Sequence, residues 1–140
     1  MHTPPPVLAP LTALYAAALA LMFCALSVRV AMLRMRLKAS LGDAGDLRLQ
    51  RAIRAHGNLT EYAPMALLLL LLMELNGANA LLLHAGGGLL LLSRAMHAYG
   101  VSQVNERLGW RAAGLAGTIN VLSGAAVWLL WAGLTAWVGR

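Results

Sequence analysis

The chain has 140 residues, 60% of them hydrophobic and 11% charged, with a net charge of +6. A soluble domain carries about 25% charged residues, so this balance excludes an ordinary soluble protein and indicates an integral membrane protein; the basic excess sits at the ends of apolar stretches, which argues for membrane topology and against nucleic-acid binding. The single cysteine, Cys24, excludes a disulfide framework and a paired-thiol motif; set in an apolar stretch, it reads as a small buried hydrophobe.

Residues 1–6 carry no basic leader, and the apolar stretch that follows is too long for a signal-peptide core, so the first span is expected to stay in the mature protein. That span is predicted over about residues 8–33, long enough for roughly 30 Å of hydrocarbon at about 1.5 Å per residue. A polar loop, Lys38 to Gly45, follows. Asp46 is a candidate N-cap for a second span over 47–75. Asn76-Gly77-Ala78-Asn79 predicts a tight turn and an antiparallel hairpin with a third span over 80–100. A short loop leads to a fourth span over 111–137. These spans make an all-α membrane four-helix bundle occupying the whole chain as a single domain, residues 1–140.

Basic residues set the expected orientation. Arg34, Arg36, Lys38, Arg48, Arg51 and Arg54 flank the first loop, Arg107 and Arg111 flank the third, and Arg140 stands alone on the other side. The first and third loops are therefore expected in the cytoplasm, with both termini outside. Trp128, Trp131 and Trp137 fit an outer aromatic belt, and Trp110 fits the inner interface.

The second span opens on a polar stripe. Arg51, Arg54, Asn58 and Glu61 follow in steps of three, four and three, which places them on one helical face. Pro64 cannot donate to the Thr60 carbonyl, so a kink or local loosening is expected beyond Glu61. The third span adds Arg94 and His97, with Tyr99 nearby; Arg34 closes the first span and Arg111 opens the fourth. Two guanidiniums, an amide and a carboxylate at the edge of a bilayer are costly unless they face protein or a wet cavity. The expected occupant is a small anion with more carboxylates than amines, held by forked arginine–carboxylate bonds, with Glu61 taking an ammonium.

Arg54-Ala55-His56-Gly57-Asn58-Leu59-Thr60-Glu61-Tyr62-Ala63-Pro64 resembles the signature of the membrane-associated proteins in eicosanoid and glutathione metabolism, which include the microsomal glutathione transferases. Arg94-Ala95-Met96-His97-Ala98-Tyr99-Gly100 is similar to that family's third-helix motif, Arg111-Ala112-Ala113-Gly114 to the start of its fourth helix, and Leu41 to Gly45 to the first loop of its bacterial branch. The resemblance implies a homotrimer of four-helix protomers in a bacterial inner membrane, with glutathione as co-substrate between adjacent subunits near the cytoplasmic side. By position it implies glutathione contacts at Arg34, Arg54, Asn58, Glu61, Arg94 and His97, with Arg111 stabilising the thiolate. Gly57 stands where several eukaryotic members have a further arginine, and Val101 where they have a tyrosine.

The expected activity is a glutathione-dependent transferase or peroxidase acting on lipophilic electrophiles. The alternative is a non-catalytic membrane protein whose basic cavity binds a lipid headgroup or stabilises the oligomer. A proton-coupled drug exporter ranks last, because the first span carries no acid and the arginines would repel cations. Arg51 reads equally as a topology anchor, His56 as exposed or interfacial, His97 as a satisfied core histidine and Glu74 as a solvated helix end. Asn120 and Ser123 read as interhelical bonding groups, and Gly86 to Gly88, Gly114 and Gly117 as sites of close helix contact. No metal site is expected, since no carboxylate–histidine spacing recurs on one face.

Overall fold

A computed structural model describes residues 8–105 and 107–139. Expectations resting on residues 1–6 and on Arg140 lie outside the described residues. Four helices follow one another: α1 (Pro10–Leu37), α2 (Leu47–Leu75), α3 (Ala80–Ser102) and α4 (Leu108–Val138). No strand occurs among the described residues. The protein is an all-α membrane bundle. α1, α2 and α4 are long and apolar enough to cross a bilayer. α3 carries Ser93, Arg94 and His97 within its apolar run and buries all three against its neighbours.

The ends of the helices follow local chemistry. Pro10 starts α1 at a first-turn position where its missing N–H costs nothing. Apolarity alone would end α1 near residue 33, but arginine and leucine are good helix formers and carry it one turn further. It stops at Lys38, in the left-handed conformation with φ 53°, whose N–H bonds back to the Met35 carbonyl at 3.3 Å. Asp46 caps α2 by accepting from the Leu49 N–H at 2.9 Å. α2 runs without a break through Pro64. Gly77, at φ 80°, makes the turn into α3, and Asn79 caps that helix by accepting from the Leu82 N–H at 2.8 Å.

The hairpin of α2 and α3 is the centre of the bundle. α1 packs on α2 and α3, α4 packs on the same two helices, and α1 and α4 do not meet among the described residues. Leu59, Ala63, Ala66, Leu70 and Met73, spaced by three or four, give α2 one continuous buried face. Leu19 of α1, Leu83 and Leu90 of α3, and Val121 and Ala125 of α4 complete the core. Glycines let the helices close up. The Tyr15 ring lies on Gly87, and a Cβ on Gly86 would come within 2.9 Å of Leu70.

The flanking helices keep much of their apolar surface outside, including Leu14, Leu21 and Val28 on α1 and Val127, Leu130 and Trp131 on α4. Such surface suits lipid or another copy of the chain, not water. Cys24 follows the same pattern. It is exposed, not buried as its apolar context suggested, because α1 is covered on one side only.

Glu74 also departs from expectation. It is no solvated helix end. Its Oε1 accepts from the Leu11 N–H at 2.9 Å and its Oε2 from the Thr12 N–H at 2.7 Å. α1 has no side-chain cap of its own at Ala9, so two of its orphan donors and its positive end take this carboxylate from α2. Glu74→Ala should cost about 1–2 kcal/mol, the worth of a strong N-cap. Chemical unfolding in micelles would measure it; a loss no larger than for an exposed surface residue would remove this role.

Candidate functional site

The arginine that α3 carries into the bundle organises the site. Arg94 is 2% exposed. Its Nη1 donates to Asn58 Oδ1 of α2 at 2.7 Å, and its Nη2 donates to the Gly114 carbonyl of α4 at 3.0 Å. The guanidinium carbon lies 5.4 Å from the centroid of the Tyr62 ring, a cation–π distance. One side chain thus ties three helices together. Its Nε is buried without a hydrogen-bond partner among the described residues.

α4 can come close enough only because Gly114 has no side chain. A Cβ there would lie 2.5 Å from the Ser93 carbonyl oxygen and 2.6 Å from the His97 nitrogen. Thr118 Oγ1 donates to the same Gly114 carbonyl at 2.9 Å, filling its second lone pair. Gly117 lies against the Ser93 side chain, and a Cβ on Gly100 would come within 2.7 Å of the Arg111 nitrogen. Of the glycines read as close-contact sites, Gly86, Gly87, Gly114 and Gly117 have that role, whereas Gly88 has nothing nearer than the Tyr15 hydroxyl at 3.9 Å.

The other half of the α2 stripe faces outward. Arg54 Nη1 and Glu61 Oε1 form an ion pair at 2.9 Å, with side chains 58% and 49% exposed. Asn58 lies between them in sequence and is buried. One helix therefore carries a charged pair on its open flank and an amide pointing inward to Arg94. His97 is buried beside this arrangement, within electrostatic reach of Arg94, Arg111, Arg54 and Glu61.

The remaining residues take different places. Arg34 donates from Nη1 to the Ser40 carbonyl at 2.9 Å and holds the first loop. Arg51 is half-buried and donates to the Val101 carbonyl at 3.2 Å, so it ties α2 to the end of α3. Arg111 is exposed in the first turn of α4. His56 is interfacial, with Nε2 2.9 Å from Ser27 Oγ of α1 and its ring against Phe23. Trp110 sits edge-on to Tyr99, their centroids 5.8 Å apart. Asn120 and Ser123 are exposed within one chain. Asn120 is on the wall of an apolar groove of about 260 Å³ shared by α2, α3 and α4, where Leu70, Leu89, Val121 and Trp128 also contribute.

Sequence reasoning missed two links. Nothing in the spacing pointed to the Gly114 carbonyl as an arginine acceptor. Arg29, within the first span, donates from Nη1 to Ser102 Oγ and from Nη2 to the Ser102 carbonyl; a lone arginine inside an apolar run was the available signal.

The model of the MAPEG family matches residues 12–132 of this sequence. The chain belongs to the MAPEG family. Among curated relatives, the inner membrane protein YecN of Escherichia coli K12 is 43% identical over 107 residues, which cover 76% of this chain and 80% of that protein. The protein of the same name from Escherichia coli O6:H1 matches to the same extent. The MAPEG match spans all four helices, from the first turn of α1 to within two turns of the end of α4.

Proposed function

We propose that this MAPEG protein is a glutathione-dependent transferase or peroxidase of a bacterial inner membrane, working as a homotrimer with its first and third loops in the cytoplasm. One observation carries the reading: the Arg54–Glu61 pair is about half exposed although it lies well along a membrane-crossing helix. Glu61 is 13 residues from Glu74, about 20 Å along the helix. Measured from that end of α2, it lies inside a hydrocarbon layer about 30 Å thick. A half-exposed carboxylate at that depth cannot face acyl chains without severe cost, and Arg54, seven residues away, reaches it from the edge of the layer. A neighbouring subunit with a polar ligand between them resolves that cost.

Glutathione fits the charges, with two carboxylates and one ammonium. Glu61 takes the ammonium, and Arg54 with Arg34 from an adjacent subunit clamps the carboxylates. Asn58, Arg94 and His97 form the floor, and Arg111 favours the charged form of the thiol. The thiolate sulfur then attacks an electrophilic carbon. A carbon–sulfur bond forms, the leaving group departs with the bonding electrons, and the thiol proton passes to water.

Calorimetry with glutathione should detect binding by the native protein and a loss of about tenfold or more in Glu61→Gln, because a charge-assisted contact is removed. Conjugation of a chromogenic aryl halide should slow by roughly a hundredfold in Arg111→Ala, as when an oxyanion donor is lost. Equal rates from the two proteins would take Arg111 out of the mechanism. A second reading rests on Arg94, whose two Nη groups are satisfied within one chain. Under it, the stripe only locks the helices, and glutathione gives no heat.

A further inference from the structure

A cavity of about 380 Å³ opens between the last turns of α1, the first turn of α2 and the end of α3. We propose that it is a second anion site, built to hold a phosphate ester. The proposal is independent of glutathione binding. Three guanidiniums, from Arg29, Arg36 and Arg48, reach its walls, and no carboxylate is among its described lining residues. The volume falls within the usual range of small-molecule sites, about 300–1,000 Å³.

The sequence builds this cavity from one face of α1. Arg29 and Arg36 are seven residues apart, so they share a face two turns from each other. Met32 and Leu33, three and four residues after Arg29, lie between them and form an apolar wall. Arg29 is the floor. The Ser102 hydroxyl and carbonyl fix its two Nη groups, and a guanidinium has five N–H donors, so three remain. Arg36 and Arg48 stand at the mouth, one on each of two helices, and neither has a hydrogen bond or ion pair among the described residues.

Three like charges around one hollow repel one another, and the repulsion grows as the local dielectric falls. A multivalent anion turns that repulsion into attraction. A phosphate group suits the geometry because its several oxygens accept from guanidiniums approaching on different sides. The apolar wall between floor and mouth favours an ester with a carbon substituent over the bare ion. The position is at the ends of membrane-crossing helices, where phospholipid headgroups lie. This site is separate from the Arg54–Glu61 pair, although Arg51, at the near end of the α2 stripe, bonds the Val101 carbonyl beside Ser102. Arg48 and Arg54 are six residues apart, so they project about 120° apart on the helix.

The test uses the full-length protein in neutral micelles, titrated with dioctanoyl phosphatidylglycerol, dioctanoylglycerol and glycerol 3-phosphate. The phospholipid should bind, and the double variant Arg36→Gln/Arg48→Gln should weaken it by about tenfold or more. The unliganded melting temperature and glutathione titration of that variant should match the native protein, since neither arginine holds the fold. Binding of glycerol 3-phosphate as well would identify a soluble ester as an occupant; binding of the phospholipid alone would identify a membrane lipid. Either result supports a phosphate site. Equal binding of dioctanoylglycerol and the phospholipid would overturn it. So would phospholipid affinity unchanged in the double variant, or no binding by either phosphate compound.

Discussion

Asn58→Leu is expected to destabilise the protein by about 3 kcal/mol, whereas Asn58→Asp should change its stability by no more than about 1 kcal/mol. The contrast follows from Arg94, which is 2% exposed and takes Asn58 Oδ1 as an acceptor at 2.7 Å. Leucine keeps the branched skeleton of asparagine and is apolar enough for a buried position, although its methyl groups are bulkier than the amide and add some overpacking. It would also strand part of a buried guanidinium, and hydrogen bonds to charged groups are worth about 1.5–3 kcal/mol each. Aspartate keeps the acceptor and adds an opposite charge. Unfolding by denaturant in micelles would rank the two variants. If Asn58→Leu proved as stable as Asn58→Asp, Arg94 would not depend on this contact.

Gly114→Val should cost about 3 kcal/mol, at the upper end for overpacking, and Gly117→Ala less than about 1 kcal/mol. Both glycines face Ser93, but the obstacles differ in kind. At Gly114 a new Cβ meets backbone, with the Ser93 oxygen at 2.5 Å and the His97 nitrogen at 2.6 Å. Backbone in a helix cannot rotate aside, so α4 would have to move away from α3. That motion would also pull the Gly114 carbonyl off Arg94. At Gly117 the nearest obstacle is the Ser93 hydroxymethyl group, which has other rotamers. The same unfolding measurement compares them, and equal losses would show that α3 and α4 are not held at backbone contact.

The helices were legible because membrane spans announce themselves through apolar length, one cap through Asp46, and the α2–α3 turn through Asn76-Gly77-Ala78-Asn79. The α2 stripe was legible as a set, but its spacing could not say which members face in. Arg54, Asn58 and Glu61 share one broad face, yet Asn58 is buried while the two charges lie open. The division depends on where α3 crosses α2, which is a tertiary fact absent from any one helix. Glu74 was misread for a related reason. Its partners are the Leu11 and Thr12 backbone N–H groups, and a backbone donor leaves no trace in the side-chain pattern. The Arg29 link to Ser102 joins helices that are not neighbours in the sequence, so it too required the fold.

The clasp formed by Glu74 bears on the order in which the protein can be made. α1 leaves the ribosome first, and the groups that finish its leading turn are supplied by a residue 62 and 63 positions later. Until α2 has been synthesised to its far end, the start of α1 has exposed donors in or near lipid, where such groups are costly. The first helix therefore completes its membrane seat only after the second has crossed back to meet it. The two helices are expected to settle into the membrane as a pair, closed by one carboxylate.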